Sequence, residues 1–271
     1  QSLSIAEKLQ SKVLKKRTLA GIGQVYRLQG KMKQSVAYLN QSIAISRELG
    51  DEIHLANQLG NLANTLADLG NHQKAIQNYL ESIAINQRRG RRRAEGIHLG
   101  GLGSTYLQLG QVQKAIVQFK KAIVINQEIG NQRSAGIQLG NLGSAHLRLN
   151  ETTEAQSCFE KAIQCCDKTE FPVAAGFFRG KLAKLLAGLG HLERANTLLE
   201  EGEAQLQDSP FYFGLFLTLK GEVAVLAKDI PHAEKILLQA KQLQTDLQVG
   251  PESELADAIT GLKTAIAESR S

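Results

Sequence analysis

A phrase recurs along this chain at steps of 40 residues: Leu28-Gln29-Gly30, Leu69-Gly70, Leu109-Gly110, Leu149-Asn150 and Leu189-Gly190. So long a fixed period belongs to stacked supersecondary units, because a unit of this size cannot bury its apolar face alone and must pack on its neighbours. Five positions after each phrase stand Ser35, Ala75, Ala115, Ala155 and Ala195. Four further on come Leu39, Tyr79, Phe119, Phe159 and Leu199. Before each phrase, Ile22, Leu62, Leu102, Leu142 and Leu182 precede Tyr26, Leu66, Tyr106, His146 and Leu186 by four residues. A spacing of four keeps side chains on one helical face, and small-then-large alternation is a packing pattern.

Each period therefore predicts a helix A, a turn at the glycine, a helix B, and a second turn near Gly50, Gly90 or Gly130. Only 4 prolines and no tryptophan suit an all-α chain, yet 25 glycines is many for one. Those at turns supply the positive φ that a helix C-terminus needs. Gly60, Gly100, Gly140 and Gly180 fall inside helix A, where each costs about 1 kcal/mol relative to alanine. Two readings stand for them: a ligand approaches the backbone there, or adjacent A helices need the room.

The order Leu62-Ala63, Leu66, Gly70, Ala75, Tyr79, Ser82, repeated as Leu102-Gly103, Tyr106, Gly110, Ala115, Phe119, Ala122, resembles the tetratricopeptide repeat, in a long 40-residue form. It is similar to repeats of spindle-orientation adaptors and of sensor segments in bacterial signalling and defence proteins. The resemblance implies a right-handed superhelical solenoid of antiparallel helix pairs with the A helices on the concave face. Five repeats are expected over 18–208, a degenerate helix pair over 209–248 and a capping helix over 249–271. Gln1-Ser2-Leu3-Ser4-Ile5-Ala6 matches Gln41-Ser42-Ile43-Ala44-Ile45-Ser46. Residues 1–17 therefore read as helix B of a truncated preceding repeat, and the chain as a fragment of a longer protein.

In such a stack the A-helix positions not used in packing are those that meet a partner. They are polar: Asn61, Asn64 and Asp68; Ser104 and Gln108; Asn141, Ser144 and Arg148; Lys181 and Lys184. Carboxamides donate to and accept from a peptide backbone, which suits a groove for a protein segment. The resemblance implies that asparagines at the places of Asn61 and Asn64 clamp a partner's backbone or terminal carboxylate. The lysines that accompany such a clamp occur only as Lys181 and Lys184.

Charge is divided unevenly. Residues 1–150 hold 20 Lys+Arg against 8 Asp+Glu, a balance of +12, whereas residues 151–271 hold 12 against 18, a balance of −6. The densest feature is Arg88, Arg89, Arg91, Arg92 and Arg93, gathered around Gly90 at a turn whose counterparts in other repeats lack them. Arginine forks bind carboxylates and phosphates bidentately, so an acidic protein segment is one expected partner. A solvated or internally paired basic turn is another reading. Nucleic acid is a third, although no aromatics suited to base stacking are interleaved with the cluster.

Catalysis has no foothold: the six histidines are scattered over different repeats, and none has ligand spacing with a thiol or carboxylate. Cys158, Cys165 and Cys166 lack zinc spacing and read as free thiols. No metal or cofactor site is expected. No apolar run approaches a membrane span, and a cytoplasmic chain is expected. Phe177, Phe178, Phe211, Tyr212, Phe213 and Phe216 are either core filling or an exposed docking surface. The reading is of an interaction module that binds a protein or peptide segment of acidic character on the concave face. Its alternatives are a regulatory arm for an attached NTPase, kinase or caspase-like effector, and nucleic-acid binding through the basic half.

Overall fold

The structure, a computed structural model, describes residues 11–250 and 253–270. Thirteen α-helices and no strand occur among the described residues. The first helices of each pair are α1 (Lys12–Leu28), α3 (Glu52–Asp68), α5 (Arg92–Gln108), α7 (Gln132–Arg148), α9 (Pro172–Gly188) and α11 (Pro210–Leu226), and a single helix, α13 (Glu254–Glu268), follows the last pair. The second helices are α2 (Met32–Glu48), α4 (His72–Arg88), α6 (Val112–Glu128), α8 (Thr152–Lys168), α10 (Leu192–Leu206) and α12 (Ile230–Asp246). They form two compact units, one running through Ser134 and the other starting at Ala135. The fold is an all-α solenoid of helix pairs.

Turn chemistry explains where the helices stop. Gly70 adopts φ 73°, its N–H donates to the Ala67 carbonyl at 2.9 Å, and the Asn71 N–H reaches back to the Leu66 carbonyl at 2.8 Å. Gly90 and Arg91 repeat the arrangement on Gln87 and Asn86. Two otherwise orphaned carbonyls are thus satisfied, as in a Schellman motif. Where glycine is missing, Asn150, Glu170, Lys228 and Gln248 are held at φ 58°, 51°, 62° and 52°. Helix starts are marked by side-chain caps at Ser11, Asp51, Asp229 and Ser253. The first helix runs unbroken from Lys12, so position 17 lies inside helix A of the first repeat. Of residues 1–17, over which the truncated helix B was expected, residues 1–10 lie outside the described residues.

In the first unit the core is built from small residues opposite large ones. Ala75 and Ala115 are fully buried, Tyr79 is 2% exposed and Phe119 is sealed. A Cβ on Gly103 would stand 2.6 Å from the Phe119 ring, so the absence of a side chain there is what admits the aromatic. Burying such a ring is worth about 1.5–3 kcal/mol. The glycines inside the A helices have the same explanation. Gly60 is faced by His98, and in the second unit Gly140 is faced by Phe178 and Gly180 by Phe216. A side chain of the next A helix fills each notch, which decides between the two readings of these three glycines in favour of packing room.

The same finding places most of the aromatics of the second unit in its core. Phe178 and Phe216 are buried, Phe177, Phe211 and Phe213 half-buried, and Tyr212 exposed. The last helix closes this unit by burying Leu255, Ile259, Leu262 and Ile266. Leu255 and Leu262 pack against Gly214 and Gly221 of α11.

Candidate functional site

The A helices of the first unit lie side by side and frame a groove of about 650 Å³. Gln24 of α1 and Asn57, Gln58 and Asn61 of α3 line one side. Arg91, at the N-cap of α5, and Arg92, Arg93, Ala94, Ile97 and His98 of that helix line the other. Asn57 and Asn61 are one helical turn apart, which puts both on the groove face. The Asn61 Nδ2 donates to Gln58 Oε1 at 3.1 Å. His98 is buried beneath, its Nδ1 2.7 Å from Ser82 Oγ, and desolvation followed by the charge of Arg91 lowers its pKa to about 4.

Five arginines adjacent in sequence have separate fates here. Arg88 and Arg89 both turn to Glu52, with the Arg89 Nε donating at 2.7 Å. This pairing, above all the Arg89 bond, holds the Glu52 carboxyl below the usual range. Arg92 donates to Glu95 at 2.8 Å and also pairs with Glu128. These three are staples within a helix pair, tying the end of its second helix to the start of its first, whereas Arg47–Glu81 and Arg194–Glu160 link the second helices of successive pairs. Pairs of this type in which both partners are exposed are weak, because water and salt screen them. Arg91 instead meets neutral acceptors: its Nη1 donates to Asn57 Oδ1 at 3.0 Å and lies 3.4 Å from Asn86 Oδ1 and 3.5 Å from the Ile53 carbonyl. Arg93 is exposed and faces the groove.

Of the polar A-helix residues expected from the sequence, Asn61 alone joins the arginines in this groove. Asn64 accepts a hydrogen bond from the buried Tyr79 hydroxyl, and Asp68 pairs with Arg27 at 3.1 Å. Ser104 is half-buried and Gln108 exposed, both farther along α5. Asn141, Ser144, Arg148, Lys181 and Lys184 belong to the second unit. There the Lys181 Nζ donates to Ser144 Oγ at 2.9 Å, lies 4.9 Å from the Phe177 ring centre, and has its pKa lowered by burial. Lys184 pairs with Glu222 at 2.8 Å. Asn57 and Gln58 escaped the sequence reading; their spacing of four and three residues from Asn61 was the available signal.

The comparison with known families decides what this array is. A tetratricopeptide repeat model matches residues 51–128, and a second matches residues 17–49 and 139–165. The chain belongs to the tetratricopeptide repeat family. Tetratricopeptide arrays are typically protein–protein interaction scaffolds and generally non-catalytic. Among solved structures the chain is similar to the apo form of RapI, at TM-score 0.75 and 16% identity over 91% of this chain and 89% of that one. It is also similar to BtubC (BKLC) from P. vanneervenii, at 0.66 and 20% over 81% and 93%. A Rap protein complexed with competence and sporulation factor gives 0.68 and 14% over 96% and 77%. At these identities the likeness is one of tetratricopeptide fold. No curated protein sequence matches the chain. Among the described residues no helix is long and apolar enough to cross a membrane.

Proposed function

We propose that this tetratricopeptide array is an interaction module that binds a protein or peptide segment of acidic character on the A-helix face, in the groove of the first unit. The observation that carries the reading is the groove's lining, which holds three arginines, four carboxamides and no carboxylate. An acidic segment finds charge complementarity there, and carboxamides to hold its backbone. The Rap protein of similar fold complexed with competence and sporulation factor supports the use of such an array to hold a ligand. A single-stranded nucleic acid is less well served, because no Phe, Tyr or Trp stands in the lining as a stacking platform. The chemistry is the same if the acidic segment belongs to another domain of the parent protein; tethering then raises its effective concentration.

Fluorescence anisotropy with labelled Glu-rich and Lys-rich peptides tests this reading. Saturable binding of the Glu-rich peptide, weakened by salt, is expected. Replacing Arg91 and Arg93 by Glu should lower its affinity about tenfold or more, as each lost charged contact is worth roughly 1.5–3 kcal/mol. Equal binding of the two peptides, or no effect of the charge reversal, would overturn it.

A further inference from the structure

The charges around the groove do not cancel, and the imbalance has a definite size. Arg88 and Arg89 share Glu52, and Arg92 lies between Glu95 and Glu128. Arg91 is held only by neutral acceptors, and Arg93 meets no carboxylate among the described residues. Two guanidinium charges thus face one groove that contains no acid. A single carboxylate would neutralise one of them. A phosphate monoester carries about −1.5 to −2 at neutral pH, which matches both.

The donors are arranged for the same guest. Arg91 uses Nη1 on Asn57, Asn86 and the Ile53 carbonyl, which fixes the plane of the fork and leaves Nε and Nη2 for a ligand. A fork presenting two parallel donors binds phosphate bidentately and loses little freedom in doing so. Because arginine only donates, the Asn57 atom facing it is Oδ1, and its Nδ2 is left as a donor beside the Asn61 amide. The first turn of α5, which no side chain caps, lines the same wall and adds the positive end of its dipole. At about 650 Å³ the groove has room for residues flanking the phosphate, beyond what a free ion fills.

Resting on the reading that this groove holds an acidic segment, we propose that the anionic group it selects is a phosphorylated serine or threonine side chain, bound by Arg91 and Arg93. The test uses the whole chain and three labelled short peptides of one sequence, differing only in a central Ser, Glu or phosphoserine. The phosphoserine form should bind at least about tenfold more tightly than the Glu form, and its affinity should rise with pH through about 6 as the phosphate loses its second proton. Arg93→Gln, a change at an exposed side chain, should abolish the preference, and so should Arg91→Gln. Arg88→Gln should leave it intact. Inorganic phosphate should compete only at far higher concentration than the peptide. Equal affinity for the Glu and phosphoserine forms would overturn the phosphate assignment while leaving the acidic-segment reading in place. No binding of either form would overturn both. Competition by inorganic phosphate at the peptide's own concentration would show a free-ion site and overturn the assignment to a segment.

Discussion

Gly60 of α3 and His98 of α5 occupy one another's space: a Cβ on Gly60 would stand 2.2 Å from His98 Nε2. The glycine weakens its own helix by about 1 kcal/mol, and that loss is what lets the imidazole seat between repeats. Gly60→Ala should therefore destabilise the first unit by about 1–3 kcal/mol, overpacking outweighing the gain in helix propensity. Gly21→Ala meets nothing within 4 Å and should stabilise by about 0.5–1 kcal/mol. Urea midpoints of the two variants moving in the same direction would refute the notch argument.

His98 also makes stability depend on pH. Its pKa in the folded chain is lowered to about 4 from an ordinary 6.5. Above 6.5 the ring is neutral both folded and unfolded, and stability is at its full value. Between 6.5 and 4 the unfolded chain binds a proton that the folded chain does not, so stability falls with pH, by roughly 3 kcal/mol in all. His98→Gln, the residue at the equivalent position 138, should flatten most of this slope in denaturation curves taken from pH 7 to 4. Some slope will remain, because burial lowers the pKa of His54 as well.

Lys16 is 2% exposed and its ammonium pairs with Asp51, which also caps α3 through the His54 N–H at 3.0 Å. That hydrogen bond to Lys16 is the main reason the Asp51 carboxyl ionises below its usual range. Asp51→Asn keeps a capping side chain but leaves the buried ammonium unpaired. A loss of about 2–4 kcal/mol is expected, under the figure for a fully dry pair because Asp51 is partly exposed. Adding Lys16→Met should recover much of it, and a double-mutant cycle without coupling would contradict the pairing.

Lys228 ends α11 at φ 62°, a conformation that costs a side chain about 1–2 kcal/mol. Lys228→Gly should raise the thermal midpoint, with a net gain of about 0.5–1 kcal/mol after the entropy of glycine in the unfolded chain. The matching change at Ala227, which is not left-handed, should not.

The helical array could be read from a period alone, because turn glycines and a small-large pair every 40 residues are local requirements that each repeat must meet. The groove could be read only in part. Asn61 was visible as a polar position on a packing helix, and Arg91 and Arg93 as members of a basic run. Their difference from Arg88, Arg89 and Arg92 was not visible, since Glu52 and Glu128 reach those three from other helices, and only the Arg92–Glu95 contact is local. Asn64, Asp68 and Lys184, expected from the sequence as partner contacts, engage Tyr79, Arg27 and Glu222, which lie 15 to 41 residues away.

What the sequence by itself determined is the tetratricopeptide architecture: helix length, turn position and the buried stripe follow from spacing, which is a property of neighbours along the chain. Tertiary structure alone decided which charges cancel and which glycines make room. Both depend on side chains about 35 to 40 residues apart meeting across stacked helices, at distances where ångströms decide between an ion pair and an uncompensated guanidinium. The arginine run is one feature in the sequence. In the folded chain it is three staples and two charges facing an acid-free groove.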